Sequence, residues 1–340
     1  MNEGYNVAIV GATGMVGQAF VQVLKERRFP VKKWKLLASA RSVDKTINIG
    51  GEAYTIEEAG PDAFRGIDFA FFSAGGEISK DLAPEAVKKG AVVIDNSSAF
   101  RMDPEVPLVV PEVNPDAVLR HKGLISNPNC STIQMVVALQ PLHAAVGLKR
   151  VVAATYQAVS GAGKEAVDEL KDQSRAVLDG QEPEKAVIPY KGATTHHQIA
   201  FNMVPHIDVV EDSDYTKEEM KMIKETRKIM GLENLPITVT TVRVPVFNGH
   251  SEALNVELKA PLSPIEARQL FYEAAGVVVM DDPANFVYPM PAMTEGKDEV
   301  FVGRIRADGS VPYGLNLWVV ADNIRKGAAT NSVQIAELLI

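Results

Sequence analysis

The chain has 340 residues, 46% of them hydrophobic and 23% charged, with a formal net charge of -8 and one cysteine. Its length exceeds what one hydrophobic core comfortably supports, so two domains are expected. The acidic balance excludes nucleic acid or an anionic membrane as the main partner, no run of about 18 apolar residues offers a membrane span, and a lone cysteine excludes an intrachain disulfide.

The chain enters an apolar pattern almost at once, without a basic-then-apolar signal region, and a cytoplasmic protein is expected. Asn6 to Val10 reads as a strand, and Gly11-Ala12-Thr13-Gly14-Met15-Val16-Gly17 follows it, leading into an amphipathic helix to about Lys25. Strand, glycine-rich loop and helix in this order form a pyrophosphate cradle, with Gly11, Thr13, Gly14, Met15 and Val16 as candidate cofactor contacts. The spacing is G-x-x-G-x-x-G rather than the commoner G-x-G-x-x-G. The next strand, around Lys35 to Ala38, ends in Ser39-Ala40-Arg41-Ser42, where an NAD-binding chain would carry an acidic residue for the ribose 2′-hydroxyl. An arginine between serines suits a 2′-phosphate instead, so Ser39, Arg41 and Ser42 point to NADP.

Strands follow at Asp68 to Phe72 and Ala91 to Asp95, with a helix between them from about Glu77 to Lys89. Ser73 and Gly75 stand just past the first of these, at the carboxyl edge where a doubly wound sheet meets its ligand, and Arg101 follows the second. The only cysteine, Cys130, lies in Ser126-Asn127-Pro128-Asn129-Cys130-Ser131-Thr132, ahead of a helix expected over Thr132 to Leu142 and up to Pro141. A thiol at a helix N-terminus is biased toward thiolate, and its polar neighbours argue against an inert core position. Beyond it, strands are expected at Arg150 to Val159, Thr238 to Val246, Ala253 to Lys259, Val277 to Met280, Val300 to Arg306 and Leu315 to Ala321. Helices are expected up to about Leu178, over about Thr216 to Met230 and over Asn323 to Leu339. The adjacent His196 and His197 do not make a helical metal pair, and no structural metal is expected.

Five segments together resemble the aspartate-β-semialdehyde dehydrogenase family from end to end: GATGMVG at 11–17, SNPNCST at 126–132, YQAVSGAG at 156–163, RVPVFNGH at 243–250 and ADNIRKGAA at 321–329. The resemblance implies NADPH-dependent reductive dephosphorylation of aspartyl phosphate to aspartate semialdehyde, on the route to lysine, threonine, methionine and isoleucine. It implies Cys130 as nucleophile, His250 as general base for the thiol and proton exchanger for the hemiacetal oxygen, and Gln157 as substrate-orienting amide. Arg243 is then the carboxylate clamp, with Glu218 on the substrate ammonium and Arg101 and Lys221 on phosphate. The choice between Glu218 and Glu219 stays open. The side chain of Asn129 and the N–H of Cys130 become oxyanion donors, and Ser160, Gly161 and Asn323 nicotinamide contacts.

The expected fold is α/β: a Rossmann-type doubly wound NADP-binding domain at 1–129, joined by the C-terminal helix at about 323–340, and an α+β catalytic and dimerisation domain with a mixed sheet at 130–322. A homodimer is the family expectation. A shorter stretch between Glu211 and Arg243 resembles the branch found in many Gram-positive and other bacteria, and leaves loop detail and effector behaviour open. The rival readings are an N-acetyl-γ-glutamyl-phosphate reductase-like enzyme, the more distant glyceraldehyde-3-phosphate dehydrogenase, and an NADP-binding regulator without catalysis.

Overall fold

The computed structural model describes residues 4–340, which fall into two compact units: the chain up to Asn129 with Ala328–Ile340, and Cys130–Gly327. The first unit runs β1 (Tyr5–Val10), α1 (Met15–Glu26), β2 (Val31–Ala38), β3 (Thr46–Ile49), β4 (Glu52–Glu58), β5 (Phe69–Phe72), α2 (Gly76–Lys88), β6 (Val92–Asp95) and β7 (Leu124–Ser126). These strands form one sheet in the order β3-β4-β2-β1-β5-β6-β7, parallel except for the edge hairpin β3–β4. Its central strands read as unbroken apolar runs because both faces are covered. Val7 and Ile9 pack with Phe20, Val23 and Leu24 of α1 on one face. Ala8 and Val10 pack with Phe72, Ala83 and Ala86 on the other.

Register aligns the carboxyl ends of these strands. Val10 pairs with Leu37 and Phe72, Phe72 with Asp95, and Asp95 with Ser126. The residues that follow, Gly11, Ser73, Asn96 and Asn127, therefore line one edge, on both sides of the point where the strand order reverses. The hairpin β3–β4 has no counterpart in the sequence reading. Only Ile49 and Ile56 of its strands are buried, so it lacks the apolar run that marks a central strand, and its turn is the pair Gly50-Gly51, both at positive φ.

The second unit runs α3 (Cys130–Val146), β8 (Leu148–Gln157), α4 (Lys164–Leu178), α5 (Lys217–Met230), β9 (Ile237–Arg243), β10 (His250–Leu258), α6 (Pro264–Glu273), β11 (Val277–Val279), α7 (Pro291–Thr294), β12 (Val300–Asp308) and β13 (Gly314–Ala321). Its six strands form a mixed sheet in the order β11-β12-β13-β10-β8-β9, with β8–β9 and β11–β12 parallel and the remaining pairs antiparallel. The helix α3 lies across β8, β10 and β13. It begins at Cys130 itself and continues through Pro141 to Val146, not ending at the proline. A proline there forgoes one backbone hydrogen bond, and the burial of residues from Ser131 to Leu142 outweighs that loss.

The last segment is a π-type turn, Arg325–Ala329, leading into α8 (Thr330–Glu337). The helix thus starts later than the expected Asn323. Val333, Ile335 and Ala336 of α8 join the core around Val7, and Arg27 meets Glu337 at 2.6 Å.

Candidate active site

The mixed sheet gathers distant residues into one row. Gln157 at the end of β8 pairs with Arg243 at the end of β9, and Tyr156 pairs with Ser251, so His250 falls beside Gln157 on the other side. Glu218 reaches the row from the first turn of α5; none of these four residues is more than 5% exposed.

Their hydrogen bonds fix their orientations. Thr155 Oγ1 donates to Gln157 Oε1 at 3.1 Å, which turns Gln157 Nε2 toward Glu218 Oε1 at 3.2 Å. Glu218 Oε2 accepts from Lys221 Nζ at 3.2 Å, and Lys221 also meets Asp208 at 2.8 Å. The backbone of Ala158 holds two groups at once: its carbonyl accepts from Arg243 Nη1 at 2.7 Å, and its N–H donates to His250 Nδ1 at 3.0 Å. With Nδ1 accepting, the neutral imidazole carries its proton on Nε2. Neither His250 Nε2 nor Arg243 Nε has a partner, although both are buried. Gly161 faces this pair: a Cβ there would lie 3.0 Å from Arg243 Nη1 and 3.1 Å from His250 Nε2.

Charge follows from this geometry. Burial, aided by the Arg243 cation and opposed by Glu218, pushes the His250 pKa down to about 3. The ring is therefore neutral at working pH. A base role toward the thiol would require the other tautomer, which the Ala158 N–H opposes. Burial also lowers the pKa of Arg243, while Glu218 and Cys130 raise it. The same attraction, read from the sulfur, favours a thiolate at Cys130, the first residue of α3. Behind it, a Cβ on Gly327 would come within 2.8 Å of Cys130 Cβ, so the π-type turn packs flush against the nucleophile's backbone.

Adjacent glutamates on α5 have different surroundings. Both oxygens of Glu219 accept backbone N–H groups, Oε2 from Thr216 at 2.7 Å and Oε1 from Thr241 at 2.9 Å, closing a capping box. Glu218 is the one that meets Gln157 and Lys221. Ser160 and Asn323, both buried, bond each other, and Asn323 Oδ1 accepts from Gly249 N at 2.9 Å, directly before His250.

In the first unit the sheet edge presents backbone. Gly11, at φ 86°, donates to Leu37 O at 2.8 Å, and Gly14 precedes α1 without any side-chain cap. The first-turn amides of α1, at Met15 and Val16, are thus left for an anion. Thr13 and Gly14 are exposed on this loop, and Ser39 and Arg41 are exposed, with Ser42 half-buried, in the turn after β2. Ser73 N donates to Val10 O, and Gly75, at φ 88°, caps α2. Arg101 Nε donates to Asn127 O and its Nη2 to Asn96 O, each at 2.9 Å. Asn129, buried, ends this unit one residue before Cys130.

Sequence reasoning missed Asp208, Gly327 and Asn331. Asn331 donates to Asn127 Oδ1 at 2.7 Å and braces the strand that leads to Cys130. Gly327 and Asn331 lie in or just past the ADNIRKGAA segment, where the regularity of a helix hid them; nothing local marks Asp208.

Two family models match the chain: "Semialdehyde dehydrogenase, NAD binding domain" over residues 6–121 and "Semialdehyde dehydrogenase, dimerisation domain" over residues 139–326. Aspartate-semialdehyde dehydrogenase of Aquifex aeolicus is 58% identical over 340 residues, covering 99% of this chain and 98% of the relative. That of Bacillus subtilis is 53% identical, covering 100% and 98%. The crystal structure of aspartate semialdehyde dehydrogenase II from Vibrio cholerae superposes with a TM-score of 0.94 at 48% identity, covering 99% and 98%, as does the same enzyme complexed with ASA. Similarity of this degree over both units makes the chain a member of the aspartate-semialdehyde dehydrogenase family.

Proposed function

We propose that the protein catalyses the NADPH-dependent reductive dephosphorylation of L-aspartyl-4-phosphate to L-aspartate 4-semialdehyde, through a thioester on Cys130. The observation that carries this reading is the pair of buried, unpaired donors, Arg243 Nε and His250 Nε2, in a unit whose nucleophile opens a helix. Unsatisfied buried donors are costly, and a substrate that supplies oxygen acceptors repairs that cost on binding.

Arg243 grips the α-carboxylate, because a planar guanidinium matches a carboxylate with parallel bonds, and Glu218 pairs with the ammonium. Arg101 and Lys221 hold the phosphate, and Gln157 orients the reacting carbonyl. The Cys130 thiolate attacks that carbonyl, the bond to the phosphate oxygen breaks, and inorganic phosphate leaves. The Cys130 N–H and the side chain of Asn129 stabilise the oxyanion. NADPH, when bound, supplies the hydride that reduces the thioester. His250 donates a hydrogen bond from Nε2 to the resulting oxyanion, which collapses as the carbon–sulfur bond breaks, releasing aldehyde and thiolate. Thiolate formation is assigned to the N-terminus of α3 and to Arg243 rather than to the imidazole.

The residues present fit the cofactor. The uncapped first turn of α1 suits a pyrophosphate, and Gly17 allows its close approach, since a Cβ there would lie 2.2 Å from Gly11 O. Gly11, Thr13, Gly14, Met15 and Val16 would line the pyrophosphate, Ser39, Arg41 and Ser42 the 2′-phosphate, and Ser73 and Gly75 the same edge of the sheet. Ser160, Gly161 and Asn323 would meet the nicotinamide half. The working form is a cytoplasmic homodimer formed through the second unit, whose family model is named for dimerisation. No helix among the described residues is long and apolar enough to cross a membrane.

The test is phosphate-dependent NADP reduction with aspartate semialdehyde, N-acetylglutamate semialdehyde and glyceraldehyde 3-phosphate in parallel. Turnover with the first alone is expected, and a preference for either of the others would overturn the reading.

A further inference from the structure

Glu252 is wholly buried in the central strand β10, two residues beyond His250 and therefore on the same face of the sheet. Thr155 on β8 and Val319 on β13 flank it in register. Neither of its carboxyl oxygens has a hydrogen-bond partner, and no cation among the described residues pairs with it. Gln134, one helical turn beyond Cys130 on α3, is also buried. Its Nε2 donates to the His250 carbonyl at 3.3 Å, while its Oε1 has no partner. This carboxamide is the polar group that bears on Glu252: its amide draws the carboxyl's pKa down, against the larger opposite effect of burial.

An ionised carboxylate has only acceptors to offer, and a buried one without a cation or donors is untenable. A protonated carboxyl acquires one donor, and the neighbour that lacks one is Gln134 Oε1. We propose that Glu252 is held as a neutral carboxylic acid that donates to Gln134 Oε1, and that the pair is a positioning clamp fixing the Cys130 helix against the strand that presents His250. The elements packed against Glu252 contribute no opposing charge: β8 supplies Thr155, β13 supplies Val319 and α3 supplies Gln134. Burial pushes its carboxyl well above the ordinary range, the direction such a clamp requires. Arg243 and Glu218 act on His250 and not on Glu252. The protonation state stands on this geometry alone, while the consequence for turnover rests on the mechanism proposed above.

The experiment compares wild type, Glu252→Gln and Glu252→Ala as full-length proteins. Glutamine keeps a neutral donor toward Gln134 and should retain kcat within about twofold, whereas alanine should lower kcat about tenfold or more and slow alkylation of Cys130, with KM for aspartate semialdehyde nearly unchanged. The melting temperature supplies an independent readout. A carboxyl whose pKa is raised in the folded state gives stability that is full at low pH and lost as pH rises through the folded value. The melting temperature of Glu252→Gln relative to wild type should therefore climb as pH rises above the ordinary carboxylate range. An infrared carboxylic C=O band should persist in wild type at mildly alkaline pH and be absent from Glu252→Gln. A pH-independent melting difference, or no such band, would overturn the neutral acid, and both measurements stand if the alanine variant fails to fold. Equal kcat in the two variants would remove the clamp. If wild type itself failed to oxidise aspartate semialdehyde while the melting and infrared results held, the proposed function would fail and the neutral acid would not.

Discussion

The two units prepare for a ligand with different materials. The sheet edge of the first is built from backbone: bare Cα atoms at Gly11 and Gly17 and an uncapped helix N-terminus at Gly14. The second works with buried side chains, Gln157, Glu218, Arg243 and His250, brought from three strands and a helix and oriented by one another. A backbone cradle tolerates changes of charge around it but not an added Cβ. A cluster of buried side chains is sensitive to every change of shape or charge. Substitutions in the two units should therefore fail in different ways.

The largest effect belongs to the nucleophile. Cys130→Ser should lower turnover by about a thousandfold or more, roughly 4 kcal/mol of barrier, and leave the affinity for NADPH within about twofold. Activity within about tenfold of wild type would exclude the thioester. Arg243→Lys comes next, because lysine keeps the charge but loses the planar fork. It should raise KM for aspartate semialdehyde and lower catalytic efficiency by roughly 2–4 kcal/mol, with KM for phosphate moving much less. A destabilised protein with unaltered kinetics would instead make Arg243 structural.

In the first unit the corresponding change is Gly17→Ala. The new Cβ would sit 2.2 Å from Gly11 O and 2.8 Å from Ala12 Cα, and backbone on both sides cannot give way without opening the loop. NADPH affinity should fall about tenfold or more, and stability by about 1–3 kcal/mol, while alkylation of Cys130 proceeds at nearly the wild-type rate. Gly14→Ala is the control, since its Cβ would meet only Gly11 O, at 3.3 Å. Equal losses in the two variants would count against the cradle. Arg41→Glu should be milder still, cutting the preference for NADP over NAD by about tenfold, on the order of 1.4 kcal/mol, with kcat little changed. An unaltered ratio of cofactor efficiencies would remove Arg41 from the 2′-phosphate site.

The same difference of materials governs what can be read from sequence. The cradle is contiguous from Gly11 to Gly17, and its strand and helix adjoin it, so local pattern suffices. Cys130 stands out because it is the only one of its kind. Nothing local marks Arg243 or His250, which became candidates through resemblance to a family; what joins them is the backbone of Ala158, far away in sequence. Neighbouring glutamates on a helix are distinguishable only once it is known which of them faces β9, and Asp208 and Glu252 matter only through partners that folding supplies. The β3–β4 hairpin and the passage of α3 through Pro141 escaped for a related reason. In both, tertiary burial rather than local propensity decides the outcome.

The smallest predicted effect concerns the cap of α5, and it tests whether the side-chain cluster depends on its scaffold. Thr216 Oγ1 accepts from Glu219 N at 3.3 Å, and Glu219 returns a bond to Thr216 N. Thr216→Ala removes half of this box while leaving Glu218 and Lys221 in place, and should cost about 1 kcal/mol of stability. The kinetic consequence depends on how the first turn is held. Glu219 also accepts from Thr241 N on β9, so the turn stays tied to the sheet after the threonine oxygen is lost. KM for aspartate semialdehyde should then remain within about twofold of wild type, less than RT ln 2 or roughly 0.4 kcal/mol. Glu219→Gln weakens the tie itself and should raise that KM more than Thr216→Ala does, at a similar melting temperature. Denaturation midpoints and Michaelis constants measured on both variants separate the cap from the tie. If Thr216→Ala raised KM as much as Glu219→Gln, the orientation of Glu218 would depend on the helix terminus and not on its link to β9.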